Sequence, residues 1–199
     1  MKFALATANP GKIREIREIL SGFDIELVSR EDLGLCFDVE ETGSTFYENA
    51  LIKAKAISEA TGLPAIADDS GIVVDALGGE PGLYSSTYGG EGLEGSERYL
   101  YLLEKMKNKR QRSAKYVCTI VCAYPDGSII SAEGECHGHI AEAPRGSGGF
   151  GYDPVFLVGD TDATMAELSQ EEKNKISHRG AALRNFAKRL REEGKSERA

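Results

Sequence analysis

Two adjacent carboxylates, Asp68 and Asp69, follow a short apolar run in the segment "PAIADDSG". Because this run predicts a strand, the acids would lie at its carboxyl end, where α/β sheets tend to form their sites. Carboxylate oxygens suit Mg²⁺, which takes few ligands from protein and the rest from water and phosphate. Glu40 and Glu41 precede a predicted helix and could complete such a site. In the alternative interpretation, Asp68 or Asp69 only caps a turn through its side chain.

Lysines that could bind phosphate lie on two predicted helices. Lys12 is in the first turn of a helix whose start is marked by Asn9 and Pro10, both preferred there. Backbone N–H groups at a helix start, the helix dipole and a lysine in the first turn all favour an anion. Asn49 and Lys53 are four residues apart and share a face of the second helix. The alternative for both helices is a solvated lysine without a ligand.

The segment "GSGGFGYDP" places aromatic rings beside a carboxylate. Its glycines, within residues 146–151, match a dinucleotide-binding pattern, but no strand precedes them closely and a proline follows where the required helix would begin. Phe150 offers a face on which a purine could stack, and Asp153 offers an acceptor for its edge. A packed aromatic turn is the alternative interpretation.

Several hydrogen-bond donors converge in "EEKNKISHRG". Ser177 is a candidate helix cap, His178 and Arg179 lie in the first turn that follows, and Lys173 is just upstream. This arrangement suits a ligand rich in acceptors. A histidine with a purely structural role is the alternative.

The composition limits the classes of function. The chain has 199 residues and a formal net charge of −8, which argues against a general affinity for nucleic-acid backbones. No apolar run reaches the roughly 20 residues of a membrane-spanning helix. Four cysteines are too few for a disulfide scaffold, and the N-terminal apolar stretch is too short for a usual signal peptide. We therefore expect a cytoplasmic protein that binds any anionic substrate locally, through a few cations or a metal.

The hydrophobic pattern predicts the elements that must position these residues. Strands are expected at 2–7, 23–29 and 65–67, with an acidic turn at 68–71 and a short strand after it, and an antiparallel pair at 114–124 and 128–141. Helices are expected at 10–20, 45–62, 97–106, 163–168 and 178–193. Helices and strands alternate early and a hairpin comes late, so we predict a mixed α/β sheet in one domain over residues 1–199.

Taken together, these segments resemble the HAM1-like family of inosine triphosphate pyrophosphatases, which hydrolyse non-standard purine nucleoside triphosphates. The resemblance covers essentially the whole chain. It rests on motifs that occur in the same order: "TANPGK" at 7–12, "EETGSTFYENALIKA" at 40–54, "PAIADDSG" at 64–71, "LGGEPG" at 77–82, "GFGYDP" at 149–154 and "EEKNKISHRG" at 171–180.

The resemblance implies an elongated α/β fold, in which a mixed sheet in two lobes is flanked by helices and the active site lies in the central cleft. It also implies a homodimer. The implied cofactor is Mg²⁺, ligated by Glu40 and Asp69, and Asp69 would also be the general base. Whether Glu40 or Glu41 is the principal glutamate ligand stays open.

The resemblance further implies a set of substrate contacts, residue by residue. Those for the polyphosphate and its surroundings are Thr7, Ala8, Asn9, Pro10, Gly11, Lys12, Lys53 and Ser70. Those for the base are Phe150, which would stack, with Gly151, Tyr152 and Asp153 beside it, and Lys173, His178 and Arg179 at the purine edge.

The implied activity is hydrolysis of ITP, dITP, XTP or dXTP to the nucleoside monophosphate and pyrophosphate, which cleanses the nucleotide pool. A 6-oxo group accepts hydrogen bonds from donors at His178 and Arg179, whereas the amino group of adenine would leave buried donors unpaired. Two alternatives stay open: a sensor that binds nucleotide without turnover, and a related pyrophosphatase acting on modified pyrimidine nucleotides.

Overall fold

The computed structural model describes residues 1–90 and 92–196. Its six-stranded sheet has the strand order β2-β1-β3-β4-β5-β6. The strands are β1 (Lys2–Leu5), β2 (Glu26–Val28), β3 (Ala65–Val74), β4 (Ser113–Ala123), β5 (Ile129–Ile140) and β6 (Phe156–Val158). The helices are α1 (Pro10–Leu20), α2 (Phe46–Thr61), α3 (Gly95–Lys105), α4 (Gln170–Ile176) and α5 (His178–Ser196).

The sheet contains both parallel and antiparallel neighbours. Strand β1 pairs in parallel with β2, where Phe3 lies opposite Leu27, and with β3, where Ala4 lies opposite Ala65. Strand β6 pairs antiparallel with β5. The predicted mixed α/β class is confirmed. Within the described part of the chain, no helix combines the length and apolar character needed to cross a membrane.

The chain divides into two compact units, and neither is continuous in sequence. Unit 1 consists of residues 1–69, 118–134 and 179 onward, and unit 2 of residues 70–117 and 135–178. The core of unit 1 includes the apolar faces of α1 and α5, with Ile16 and Phe186 fully buried. The core of unit 2 includes Leu102 of α3 and Phe156 of β6. The helices predicted at 10–20 and 178–193 are confirmed as α1 and α5.

Helix starts follow the predicted capping residues. The Asn9 side chain accepts hydrogen bonds from the backbone N–H groups of Gly11 and Lys12 at the start of α1. Thr45 caps α2 by accepting from Glu48 N. The Glu48 carboxylate in turn accepts from the backbone N–H and the hydroxyl of Ser44.

The prediction of a turn at residues 68–71 is wrong. The structure has one unbroken ten-residue strand, β3, through Asp68 and Asp69. Two adjacent acids are unfavourable inside a buried strand unless other groups pair with their charges. Here nearby cations pair with them, as described below. The two carboxylates consequently lie within the strand and not at its end.

The region before α5 also differs from the prediction. The short helix expected near residues 163–168 is a single 3₁₀ turn at Met165–Glu167. The structure then has α4, which was not predicted as a separate helix and which Ser169 caps by accepting from Glu172 N. Ser177 lies between α4 and α5, so Lys173 and His178 come from different helices.

Candidate active site

Asp68 is a buried carboxylate held by two cations of unit 1. Its side chain accepts from Lys12 Nζ at 2.8 Å and from Arg179 Nη2 at 3.1 Å, all at Oδ2. The residue is 2% exposed. Burial opposes its charge, but the nearby ammonium and guanidinium groups prevail and hold the pKa of Asp68 below its ordinary value. Asp68 is therefore ionised at neutral pH.

Glu15 is the second carboxylate on Arg179. Its Oε2 accepts from Arg179 Nη1 at 2.6 Å, and both side chains are almost fully buried. Together, two cations and two carboxylates from α1, β3 and α5 form a network without net charge. Glu15 is not among the site residues predicted from the sequence. The available signal was its position three residues after Lys12, which puts the two side chains on one face of α1.

Asp69 lies in a different electrostatic environment. Lys53 Nζ donates to its Oδ1 at 3.0 Å, and Asn49 Nδ2 donates to its Oδ2 at 3.4 Å. Lys53 also lies 3.1 Å from the Glu41 carboxylate. Burial raises the pKa of Asp69 to about 6, against the attraction of Lys53 and with a further contribution from Glu41. A carboxyl with this pKa can accept a proton near neutral pH, as a general base must.

Adjacent positions on β3 therefore hold two acids with opposite pKa shifts. Successive side chains of a strand point to opposite faces, so each acid has its own partners. Asp68 pairs with Lys12 of α1, and Asp69 pairs with Lys53 of α2. Environments that separate the pKa values of neighbouring acids often mark an acid–base site.

The fit of a hard cation to this region can be judged from its oxygen atoms. Oδ1 of Asp68 is buried and has no hydrogen-bond partner among residues 1–90 and 92–196. Carboxylate oxygens are the donors that Mg²⁺ prefers, so the chemistry fits. Within the same residues no three acidic, histidine or cysteine side chains are grouped as a metal site. Protein ligands would therefore be few, with water and phosphate supplying the others.

The two candidate glutamates lie in different positions. Glu41 contacts Lys53, which in turn contacts Asp69. Glu40 and Glu41 are both exposed. In this structure Glu41 is thus the glutamate that shares the Lys53 ammonium group with Asp69.

The start of α1 forms the candidate phosphate loop, residues 7–12. Thr7 Oγ1 accepts from Asn9 N at 3.2 Å, and Asn9 Oδ1 accepts from Gly11 N at 2.9 Å. The N–H groups at this helix start are the predicted donors for an anion. Those of Gly11 and Lys12 instead donate to Asn9 Oδ1, so an anion would have to displace the cap to reach them. Ala8, Asn9 and Pro10 are exposed.

The candidate base-binding residues of unit 2 converge on Asp153. Its Oδ2 accepts from Lys173 Nζ at 2.7 Å and from Phe150 N at 2.8 Å. Asp153 is 3% exposed. Lys173 Nζ also lies 4.5 Å from the centre of the Phe150 ring. Asp153 thus fixes the loop that carries Phe150, because one of its oxygens binds both the loop backbone and Lys173.

The glycine loop requires glycine at one of its positions for a specific reason. Gly149 has φ +71°, and a Cβ there would lie 2.0 Å from Asp153 Oδ2. The loop leads into a 3₁₀ turn at Asp153–Val155 and then β6, not into the long helix of a dinucleotide fold. Tyr152 is buried and donates through its hydroxyl to Ser85 O at 2.8 Å. Phe150 is therefore the more accessible of the two aromatic residues.

His178 and Arg179 belong to different groups although they are neighbours. The His178 ring stacks on Tyr116 of unit 2, with ring centres 4.5 Å apart and planes 9° from parallel. The Arg179 guanidinium is committed to Asp68 and Glu15 of unit 1. That both side chains reach the purine edge stays a prediction. Ser70, the remaining predicted contact, follows Asp69 on β3 and is half-buried.

Comparisons with known proteins agree over nearly the full length of the chain. The model of the Ham1 family matches residues 3–189. A protein of Thermus thermophilus named dITP/XTP pyrophosphatase is 53% identical over 186 residues, covering 92% of this chain and 89% of the relative. One of the same name from Bacillus subtilis is 46% identical over 188 residues, covering 94% and 95%. The solved structure of a HAM1 protein from Coxiella burnetii has a TM-score of 0.89 at 41% identity, covering 96% of this chain and 99% of that one.

Proposed function

The chain belongs to the Ham1 family, and from this premise we propose that it hydrolyses the non-standard purine nucleotides dITP, ITP, XTP and dXTP. The products are the nucleoside monophosphate and pyrophosphate, so the enzyme is a hydrolase of acid anhydrides that cleanses the nucleotide pool. The names of its relatives support this substrate class. The observation that carries the chemistry is the pair Asp68 and Asp69, whose neighbouring carboxyl groups have opposite pKa shifts.

Asp69 is the general base of the proposed reaction. Its carboxylate takes a proton from water as the water oxygen forms a bond to the α-phosphorus. The bond from that phosphorus to the bridging oxygen breaks, and the electron pair leaves with pyrophosphate. A pKa of about 6 leaves most of Asp69 ionised at neutral pH while keeping it basic enough to accept the proton.

The cations of unit 1 hold the polyphosphate. Lys12 and Lys53 each lie within 3.0 Å of a carboxylate oxygen, so both ammonium groups are oriented before substrate arrives. Oriented charges stabilise a developing charge without the cost of reorganisation. Thr7, Asn9 and Gly11 add polar groups at the start of α1.

Mg²⁺ is the proposed cofactor, with Asp69 and either Glu40 or Glu41 as protein ligands. When bound, a divalent ion of this kind draws charge from phosphate oxygens and lowers the pKa of water. Asp68 stays ionised beside Lys12 and Arg179, and its Oδ1 is buried without a hydrogen-bond partner among the described residues.

The base is held by the group in unit 2. Phe150 provides the stacking face, and the position of its ring is fixed by Asp153 and Lys173. His178 supplies a hydrogen bond to the 6-oxo group of hypoxanthine or xanthine. Because Arg179 contacts Asp68 and Glu15, we propose that it holds Asp68 in place, and we assign edge recognition to His178 and Lys173. A homodimer in the cytoplasm remains the expected state of the protein.

The decisive experiment identifies products from a panel of triphosphates. With Mg²⁺ present, ITP and XTP should give the monophosphate and pyrophosphate, and ATP and UTP should give little of either. Binding of ITP without products would instead support a sensor, and faster turnover of pyrimidine nucleotides would support the related pyrophosphatase.

Substitution of the base tests the mechanism. Asp69→Asn should lower kcat by about 100-fold to 10,000-fold, the usual contribution of a general base, because the amide cannot take the proton. The control is Asp126→Asn in the β4–β5 turn, where the carboxylate only accepts from Ser128. If Asp69→Asn hydrolyses ITP at the rate of the Asp126→Asn control, the assignment of the base is wrong.

A further inference from the structure

Tyr116 of β4 joins two members of the base-binding group in unit 2. Its ring stacks on the His178 imidazole, and its hydroxyl donates to Asp153 Oδ1 at 3.3 Å. Phe156 also packs against the Tyr116 ring, with the two ring centres 4.6 Å apart. Tyr116 is 7% exposed and belongs to the core of unit 2.

The two contacts of Tyr116 differ in strength. The 3.3 Å hydroxyl contact is long for an O–H···O hydrogen bond. Asp153 also has shorter bonds from Lys173 Nζ and Phe150 N, at 2.7 and 2.8 Å. By contrast, the stacked contact with His178 is nearly parallel, at 9° between ring planes. The ring of Tyr116 therefore matters more to this group than its hydroxyl does.

Stacking against a fixed ring restricts the imidazole of His178. A histidine directs its hydrogen bonds in the plane of its ring, so the plane of the ring sets where its N–H groups point. His178 opens α5 and follows Ser177, so its backbone alone leaves the side-chain torsions open. The Tyr116 ring, which packs in turn against Phe156, therefore limits the tilt of the imidazole plane.

We propose that Tyr116 is a positioning residue for base recognition: its ring sets the plane of the His178 imidazole that reads the purine. Tyr116 does not itself contact the nucleotide in this role. The inference rests on the proposed function, since it assigns His178 to the purine edge. It goes beyond that function because the sequence motifs around the site do not include β4.

The experiment compares ITP with ribose 5-triphosphate, a substrate that has the phosphates and sugar but no base. For Tyr116→Leu, kcat/KM for ITP should fall roughly threefold to tenfold, the factor expected for loss of an aromatic contact. For ribose 5-triphosphate it should not change, because no base is present to be read. Tyr116→Phe keeps the ring and should stay within about twofold of the wild type for both substrates. Tyr116→Met, which also lacks a ring, replaces the leucine variant if that protein does not fold.

Tyr88→Phe is the matched control, because it also removes a hydroxyl that donates to a carboxylate, at 3.0 Å from Glu80. It should leave both substrates unaffected. An equal loss of kcat/KM for ITP and ribose 5-triphosphate in the ring-less variants would show that Tyr116 has only a structural role, and this would overturn the inference. Unchanged ITP turnover in those variants would overturn it as well, while leaving the proposed function intact. A wild-type protein that does not hydrolyse ITP would instead overturn the proposed function and this inference together.

Discussion

Asp68 and Asp69 show how one backbone segment gives two carboxyl groups different chemistry. Asp68 has two cations on a single oxygen, and these outweigh the cost of burial. Asp69 has one cation, and a second carboxylate, Glu41, shares that cation. The number of cations for each carboxylate, rather than the depth of burial, therefore decides which acid remains basic.

A stability measurement tests the raised pKa of Asp69 without using activity. An unfolded aspartate titrates near 3.8 and the folded one at about 6, so ionising Asp69 in the folded protein costs roughly 3 kcal/mol. Its contribution to stability is complete below pH 3.8 and is lost as pH rises through about 6. Asp69→Asn should therefore increase the free energy of unfolding by up to roughly 3 kcal/mol at about pH 8.

The measurement is urea unfolding without Mg²⁺, at several pH values. The gain from Asp69→Asn should shrink as pH falls and vanish near pH 4, because the wild-type carboxyl is then also neutral. Asp126→Asn should show no such gain, since hydrogen bonds from Ser128 lower the pKa of that acid. A loss of stability in Asp69→Asn at high pH would contradict the raised pKa.

At the scale of single residues, residue type and spacing predicted some members of the site and not others. Lys12 and Lys53 were selected from helix position alone, and the structure places each beside one of the two predicted aspartates. Tyr116 lies in an apolar strand pattern and Glu15 lies among the charged residues of α1, so only the fold reveals which partner each one contacts. Arg179 was grouped with His178 because they are adjacent in sequence, whereas adjacent residues at a helix start point in different directions.

The ion-pair network of Glu15, Asp68 and Arg179 joins three elements, α1, β3 and α5. Removing one member of a buried pair leaves its partner as an uncompensated charge, which usually costs about 3–5 kcal/mol. Arg179→Met should lower the free energy of unfolding by about this amount in a urea titration. The cause can be checked by adding Glu15→Leu, which removes a stranded carboxylate and should restore part of the loss.

Lys175→Met provides the comparison for that experiment. Lys175 forms an ion pair with Glu171 along α4, but both side chains are largely exposed. Exposed pairs contribute little, so this variant should be nearly as stable as the wild type. Equal losses in Arg179→Met and Lys175→Met would mean that the buried network does not hold the three elements together.

Gly43 controls how the acidic segment before α2 meets that helix. A Cβ at this residue would lie 2.6 Å from Glu48 Cβ and 2.7 Å from Asn49 Oδ1. Gly43 N also donates to that Asn49 oxygen at 2.8 Å. Gly43→Ala should therefore displace Glu41 from Lys53 and raise the Mg²⁺ concentration for half-maximal activity between about 10-fold and 100-fold. Gly22→Ala, where nothing lies within 4 Å of the added carbon, should leave the Mg²⁺ titration unchanged.

Local signals predicted the helix starts well and the interior of β3 poorly. Capping at Asn9 and Thr45 needs only neighbouring residues, so the sequence contains all of the information. The continuity of β3 depends on Lys12, Lys53 and Arg179, which are distant in sequence. Two adjacent acids are unfavourable in a buried strand unless cations pair with them, and local sequence does not show where those cations lie.

On the scale of the whole molecule, the predicted site residues fall into two groups. Lys12, Lys53, Asp68 and Asp69 lie in unit 1, and Phe150, Asp153, Lys173 and His178 lie in unit 2. The first group lies entirely within the stretch 1–69 of unit 1, and the second lies entirely within the stretch 135–178 of unit 2. The mixed α/β class was predictable from the alternation of helices and strands, but this division was not, because it depends on contacts between distant segments.

The division predicts that fragments of the substrate protect different amides from hydrogen exchange. With Mg²⁺, inorganic triphosphate should slow exchange in residues 7–12 and 66–69 of unit 1, because it has only the phosphates. Inosine, which has only the base and sugar, should slow exchange in residues 149–153 and 173–178 of unit 2. An α,β-imido analogue of ITP should protect both sets, since the uncleavable bond keeps the whole ligand bound.

Hydrogen exchange read by mass spectrometry resolves these segments. Protection of residues 149–153 by inorganic triphosphate alone would contradict the assignment, because that loop has no lysine or arginine and the nearby Lys173 of α4 is already paired with Asp153.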